Sequence, residues 1–419
     1  MPSLYPLCRV PRSLDEVTTV RPRTEIEPRH LGLDRGAVNA AWDAVRNLYA
    51  SGTHPAAALC VRYQSEVVLD RAIGHPRGNS PDDAPDAAKV VATPDTPFCL
   101  LSASKPVTAM VIHLLDERRL VHLDDPVAQF IPEFAKHGKQ HITLRHVLAH
   151  RAGVPLPPPD SMDPGLLERP NDIVEMLCEQ KPSLRAGQRQ SYHAVTTGFL
   201  LGEVVRRVTG QDIRTFLREH VLAPLGFRWM NYGVAHEDVG QVAVNAFTGP
   251  VPLPPISTLF ERALGLSVQG VVDFSNDPRF VRSIFPSGNV MSTATEAARF
   301  FDLLRRGGEL DGVHVFEPRT VKRAIAEQSY MELDLTLGLP FRFSLGFMLG
   351  AEWFSLYGPN TNRAFGHIGF TNVFCWADPD REVAGALLTS GKPLIYPQVY
   401  WIWEMMRRIG RAFPVRRQT

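Results

Sequence analysis

Apolar positions recur at helical spacing over residues 34–50, where Val38, Trp42, Val45 and Leu48 share one face. The period then changes. Residues 57–63 and 67–73 read as two strands joined by the polar Gln64-Ser65-Glu66 turn, and the Pro/Asp-rich stretch 74–92 reads as loop. From Ser102 to about residue 225 the pattern is helical again, over 106–118, 144–150, 171–180, 195–209 and 212–221, with proline-bearing loops between. Two of the loops, 154–160 and 249–255, are rich enough in proline to act as stiff surface connections. Strands return at 342–349, 364–370, 372–377 and 383–389, with an Asp378-Pro379-Asp380 turn, and a helix over 397–412 closes the chain.

Strands at both ends around a helical middle predict an α+β protein, one sheet assembled from distant segments with an all-helical insertion. The expected division is an irregular surface extension over 1–30, a discontinuous α/β domain from 31–98 and 285–419, and a mainly helical domain over 99–284, with the active site between the last two.

The composition narrows the class. A chain of 419 residues with 44% hydrophobic and 21% charged residues is long enough for a large folded unit. Its 45 basic and 44 acidic residues leave a net charge of +1, so no electrostatic grip on nucleic acid is expected. Five scattered cysteines show no C-x-x-C spacing and read as buried free thiols rather than a disulfide framework or zinc site. The first twenty residues show no continuous apolar signal segment, and no apolar run is long enough to span a bilayer, so the default address is cytoplasmic. The last helix carries Tyr400-Trp401-Ile402-Trp403 ahead of Arg407, Arg408 and Arg411. That pattern leaves peripheral membrane association as an alternative to packing on the sheet.

Only seven of the basic residues are lysine, and one of them stands in Ser102-Ala103-Ser104-Lys105, the single S-x-x-K of the chain. A serine hydroxyl needs a base to become a nucleophile. At the start of a helix, a lysine three positions on lies one turn above the serine on the same face. Burial lowers its pKa toward that of a working base, and the helix N-terminus favours an oxyanion. The histidine pairs His146/His150 and His137/His141 have zinc spacing, but lack the glutamate of H-E-x-x-H and a third ligand, so they read as structural. The nearest approach to G-x-S-x-G, Gly265-Leu266-Ser267-Val268-Gln269, fails at the last glycine.

The segment from Phe98 to Ala109 around that S-x-x-K resembles the nucleophile segment of class C β-lactamases, D-alanyl-D-alanine peptidases and β-lactamase-like (family VIII) carboxylesterases. Leu123-Asp124-Asp125-Pro126-Val127, the stretch from Ile142 to Gly153, Leu222 to Phe227 and Ser287 to Thr293 are similar to that family in the same order. The resemblance covers roughly residues 35 to 410. It implies a β-lactamase/transpeptidase-like fold, an antiparallel sheet flanked by helices with the helical domain inserted. It also implies Ser102 as acyl-accepting nucleophile with Lys105 as base, and Tyr192 of Ser191-Tyr192-His193-Ala194 as the tyrosine of the family's Y-x-N motif. The backbone N–H groups of Ser102 and Phe370 would form an oxyanion hole. Gly366-His367-Ile368-Gly369-Phe370 would take the place of K-T-G, with Gly369 admitting the substrate to the backbone.

Two positions depart from the family pattern. Ala194 replaces the asparagine that bonds an acylamide side chain, and His367 replaces the lysine, keeping a hydrogen-bond donor but losing the permanent charge. Both departures disfavour β-lactams and peptides and leave neutral esters suitable. The expected activity is therefore a carboxylesterase or lipase acting on short- to medium-chain acyl esters through an acyl-enzyme on Ser102. A β-lactamase, D-amino-acid peptidase or acyltransferase of the same fold is the alternative, and a non-catalytic scaffold is the alternative of another class. The expected partner is a small-molecule ester, with no metal or organic cofactor required.

Overall fold

The computed structural model describes residues 5–21 and 24–415. Its centre is a nine-stranded antiparallel sheet whose strands, in chain order, are β1 (Thr18–Val20), β2 (Ala56–Tyr63), β3 (Glu66–Gly74), β4 (Ser329–Leu333), β5 (Pro340–Phe343), β6 (Met348–Leu349), β7 (Phe365–Gly369), β8 (Val373–Asp378) and β9 (Val383–Thr389). Across the sheet the order is β1-β3-β2-β9-β8-β7-β6-β5-β4, so the N-terminal hairpin pairs directly with the C-terminal strand.

Both faces of the sheet are covered, and this explains why β2 and β9 read as continuous apolar runs. Ala57, Leu59 and Val61 of β2 face one core with α1 (Arg35–Ala50) and the C-terminal helix, whereas Ala56, Ala58 and Cys60 face the other. That second core contains α2 (Lys105–Glu117), α3 (Thr196–Thr209) and, after the roofing helix α4 (Ile256–Leu264), α5 (Ala294–Arg305). The terminal helix α6 (Tyr400–Ala412) buries Ile402, Met405, Met406 and Ile409 in the first core, leaving Tyr400 and Trp403 half exposed. The five cysteines are buried and free. Among the described residues no helix is long and apolar enough to cross a membrane.

Several elements differ from the sequence expectation. The N-terminal stretch is not wholly irregular: β1 pairs with Arg71–Ile73 and covers the edge of β3, held there by Arg21 on the buried Asp70. The strand expected over 342–349 is broken. Its backbone turns at residues 344–347, where Gly346 at φ +110° sits so close to Ala109 of α2 that an added Cβ would lie 2.2 Å from the alanine Cβ. The helix expected over 144–150 ends at Leu148, since His150 has φ +56°, and that over 212–221 passes into a wider turn at Arg218–Leu222. Helices α4 and α5 and strand β4 had no counterpart in the reading of the sequence, although Thr293 caps α5 through the Glu296 N–H.

Candidate active site

Ser102 lies in a tight turn, Leu101–Ser104, that runs directly into α2. Leu101, just before it, is held at φ +48°, a backbone region costly for a side chain of this kind. The turn is fixed from both sides: the Leu100 N–H donates to the Val290 carbonyl, and the Val290 N–H donates to Ser104 Oγ. Ser102 and Lys105 therefore share one face of the helix start, and Lys105 Nζ reaches Ser102 Oγ at 3.3 Å.

The ammonium of Lys105 is placed by two further bonds, to the Ala194 carbonyl at 2.8 Å and the Ser287 carbonyl at 3.0 Å. An amine has three N–H directions. With two spent on carbonyls, the third points at Ser102 Oγ, as a donor when the lysine is charged and as a lone pair when it is neutral. Burial pulls this lysine from its ordinary 10.5 down to about 7, so both forms are populated near neutrality. Neither carbonyl carries a side-chain signal in the sequence. The close approach of Ser287 depends on Gly198 of α3, where a Cβ would lie 2.3 Å from the Ser287 nitrogen.

Tyr192 comes from a segment without regular secondary structure, 90 residues along the chain, and its phenol neighbours Ser102 closely enough for the serine to oppose the rise in its pKa. Lys105 Nζ stands 5.0 Å above its ring centroid. Burial raises the phenol above its ordinary pKa, so it is held protonated. The ring lies against His150, centroids 4.7 Å apart, with His367 at 6.0 Å. His150 Nδ1 in turn accepts the His193 N–H at 3.2 Å, and His146 Nδ1 accepts the Thr143 N–H in a capping box, so these two imidazoles serve different partners. His150 is pushed well below its ordinary pKa by burial and by its neighbour His193.

His367 differs from expectation in one respect. Its Nδ1 lies 2.7 Å from the Ile368 carbonyl, which can only accept, so the ring's N–H is spent there. Burial and the nearby Lys105 lower its pKa to about 3. The neutral ring therefore turns a lone pair, not a donor, inward, and that Nε2 is buried without a hydrogen-bond partner among the described residues. Gly369 also has a different neighbour from the one anticipated. An added Cβ would meet the Leu100 carbonyl oxygen at 2.1 Å, so the glycine lets β7 lie directly against the turn that carries Ser102.

Ser102, Ala194, Leu264, Phe274, Phe285 and Phe370 line one cavity, mostly apolar, with Ser275 and Ser287 the other polar side chains on its wall. Ser102 and Phe370 stand on its wall together, and Phe260 of α4 lies 6.2 Å from Phe370, ring to ring. Both proline-rich loops border this roof: the 249–255 loop leads into α4, and Pro157 of the other touches its end at Gly265. A larger hollow, lined from the same helix by Ser257 and Glu261 and otherwise by residues such as Pro6, Asp82 and Val251, includes none of the residues expected to react.

Comparison with known proteins gives the family and fold of the chain. The Beta-lactamase family model matches residues 43–401. The chain is 28% identical over 309 residues to a Mycobacterium tuberculosis protein named Esterase/beta-lactamase LipL, covering 70% of this chain and 69% of that protein. Among solved structures, a penicillin-binding protein homolog from Caulobacter crescentus superimposes with a TM-score of 0.77 at 28% identity, covering 90% of this chain and 97% of that one. A family VIII carboxylesterase superimposes with a TM-score of 0.74 at 25% identity, covering 88% and 96%.

Proposed function

Since the chain belongs to the beta-lactamase family and carries its serine-hydrolase fold, we propose that it is a carboxylic ester hydrolase working through an acyl-enzyme on Ser102. The observation that carries the reading is the Lys105 amine, 3.3 Å from Ser102 Oγ and lowered to about 7. A base is most effective when its pKa lies near the working pH.

In this reading neutral Lys105 takes the Ser102 proton as Oγ attacks the ester carbonyl carbon. The carbonyl electrons move onto oxygen, where the N–H groups of Ser102 and Phe370 hold the oxyanion. Collapse breaks the bond to the leaving alkoxide, which receives a proton through Tyr192, and the Lys105 ammonium restores the phenol. Water then adds to the acyl-enzyme with Lys105 again accepting a proton, and the acid leaves as Ser102 recovers its own.

Neutral esters are preferred over β-lactams and peptides for two reasons. Ala194 offers no side-chain amide, and His367 turns a buried lone pair inward, so neither favours an acylamide or a carboxylate. An apolar wall of Leu264, Phe274 and Phe285 suits a hydrocarbon acyl chain of short to medium length. The division into 1–30, 31–98 with 285–419, and 99–284 remains our proposal. It is supported by the origins of the site, with Ser102 and Tyr192 from the middle and His367 and Phe370 from the sheet.

The test is a chain-length series of p-nitrophenyl esters run beside nitrocefin on the wild type and on Ser102→Ala. Turnover of the esters that vanishes with the serine, together with loss of fluorophosphonate labelling, is expected. No turnover of any ester and no labelling of the wild type would sink the reading.

A further inference from the structure

Asp334, in the connection between β4 and β5, is fully buried, and its carboxylate is matched by N–H groups rather than by a cation. Its Oδ1 accepts the N–H of Thr336 at 2.9 Å and of Leu337 at 3.0 Å, a local turn that aspartate forms readily. The same oxygen accepts a third N–H, that of Tyr192 at 3.0 Å, from 142 residues away. Around this point two stretches run side by side. Leu335 N–H donates to the Gln190 carbonyl, Gln190 Nε2 approaches Asp334 Oδ2 at 3.4 Å, and Ser191 Oγ pairs with Thr336 Oγ1 at 2.8 Å. Glu332 accepts the Gln190 N–H at 3.1 Å while it is paired with Arg151.

We infer that Asp334 is a positioning residue for the Tyr192 phenol. The inference rests on the reading above, in which Tyr192 relays the leaving-group proton. A residue outside helix and strand has no ladder to fix its backbone, so its Cα must be placed by other bonds. Here one buried carboxylate oxygen fixes the N–H of Tyr192 and the shape of the β4–β5 turn at once. The ring then packs against His150, 4.7 Å away, and His367, 6.0 Å away, with Ser102 a neighbour of its hydroxyl. The carboxylate charge also acts in the same direction as burial, keeping the phenol protonated.

The measurement is kcat and KM for p-nitrophenyl butyrate hydrolysis by the full chain carrying Asp334→Ala, Asp334→Glu or Asp334→Asn, each in the wild-type background and in Tyr192→Phe. Asp334→Ala is expected to lower kcat by about 100-fold, the scale set by displacing a reacting group by an ångström, with KM little changed. Asp334→Asn keeps an oxygen at the Oδ1 position and restores most of the rate. In the Tyr192→Phe background none of the three lowers kcat further, because residues acting as one unit are not additive. Should Asp334→Ala fail to fold, Asp334→Glu, which keeps the charge but shifts the acceptor, carries the same comparison. Equal losses in both backgrounds, or a KM rise that accounts for the loss, would overturn the inference and leave Asp334 as a turn former. A wild-type chain inert toward every ester is read before any variant is compared; it removes the proposed function and this inference with it.

Discussion

Lys105 Nζ hydrogen-bonds the carbonyl oxygen of Ala194 at 2.8 Å, so position 194 holds the lysine amine through its backbone and not through its side chain. A substitution there changes what the cavity offers a substrate without touching the Lys105 contact, because every residue presents the same carbonyl. The side chain on the cavity wall and the placement of the Lys105 amine are thus separable at one residue.

Ala194→Asn exploits that separation. Its amide would enter the cavity wall beside Ser102 and raise nitrocefin turnover relative to ester turnover, while fluorophosphonate still labels Ser102 at close to the wild-type rate. Burying an amide without a full set of partners costs about 1–3 kcal/mol, so the melting temperature should fall. Loss of labelling would show that the side chain, not the carbonyl, governs Lys105.

Gly369→Ala tests the contact between the sheet and the turn that carries Ser102. The new Cβ would stand 2.1 Å from the Leu100 carbonyl oxygen, a backbone atom with little freedom to yield. Overpacking of this kind costs about 1–3 kcal/mol, and the strand would move away from Ser102. A lowered melting temperature with a drop in kcat is expected in thermal unfolding and steady-state assays. A variant with wild-type kcat would mean that the distance between β7 and Ser102 does not matter to the reaction.

The fold was legible because its signals are local. The sheet strands β2, β3, β8 and β9 carry the period and apolar runs of buried strands, and Ser102-Ala103-Ser104-Lys105 stands out as a candidate site only together with the family-like segments that follow it in order. What stayed hidden depends on groups every residue has or on pairings across the chain. The carbonyls of Ala194 and Ser287 that hold Lys105 leave no trace in residue type. Asp334 looks like an ordinary turn aspartate until Tyr192 is seen on it. The tautomer of His367 is set by the carbonyl of Ile368, its own neighbour, whose direction only the folded strand determines. Strand β4 is short, half exposed and paired only at the sheet edge, so its pattern is weak.

His367→Lys would place a permanent cation at a buried position beside Lys105 and Tyr192. A charge-assisted hydrogen bond to a carboxylate contributes about 1.5–3 kcal/mol, so KM for nitrocefin should fall by at least about tenfold while KM for neutral esters changes little. The second ammonium would also lower thermal stability, since it is desolvated near another cation. Unchanged KM values for both substrates would show that residue 367 does not face the substrate.

The pH dependence of the wild type isolates Lys105. As a base it must be neutral, and burial brings it from 10.5 to about 7. The rate constant kcat/KM for a neutral ester should therefore fall about tenfold per pH unit below 7 and level off above it. Stability follows the same shift with its own sign. The unfolded lysine holds its proton up to about 10.5, whereas the folded one releases it near 7, so between these values unfolding takes up a proton. The contribution of Lys105 to stability is thus lowest below pH 7 and rises steadily toward pH 10. Lys392, also buried and lowered to about 7, adds a parallel trend, which cancels when the wild type is compared with Lys105→Met. In that comparison the stability of the wild type relative to the variant should climb from pH 7 to 10 in denaturant titrations, while the variant loses 100- to 10,000-fold in kcat/KM, roughly the worth of a general base. A stability difference independent of pH would mean that Lys105 keeps its ordinary pKa in the folded protein, and with it the ammonium that makes it useless as a base at neutrality.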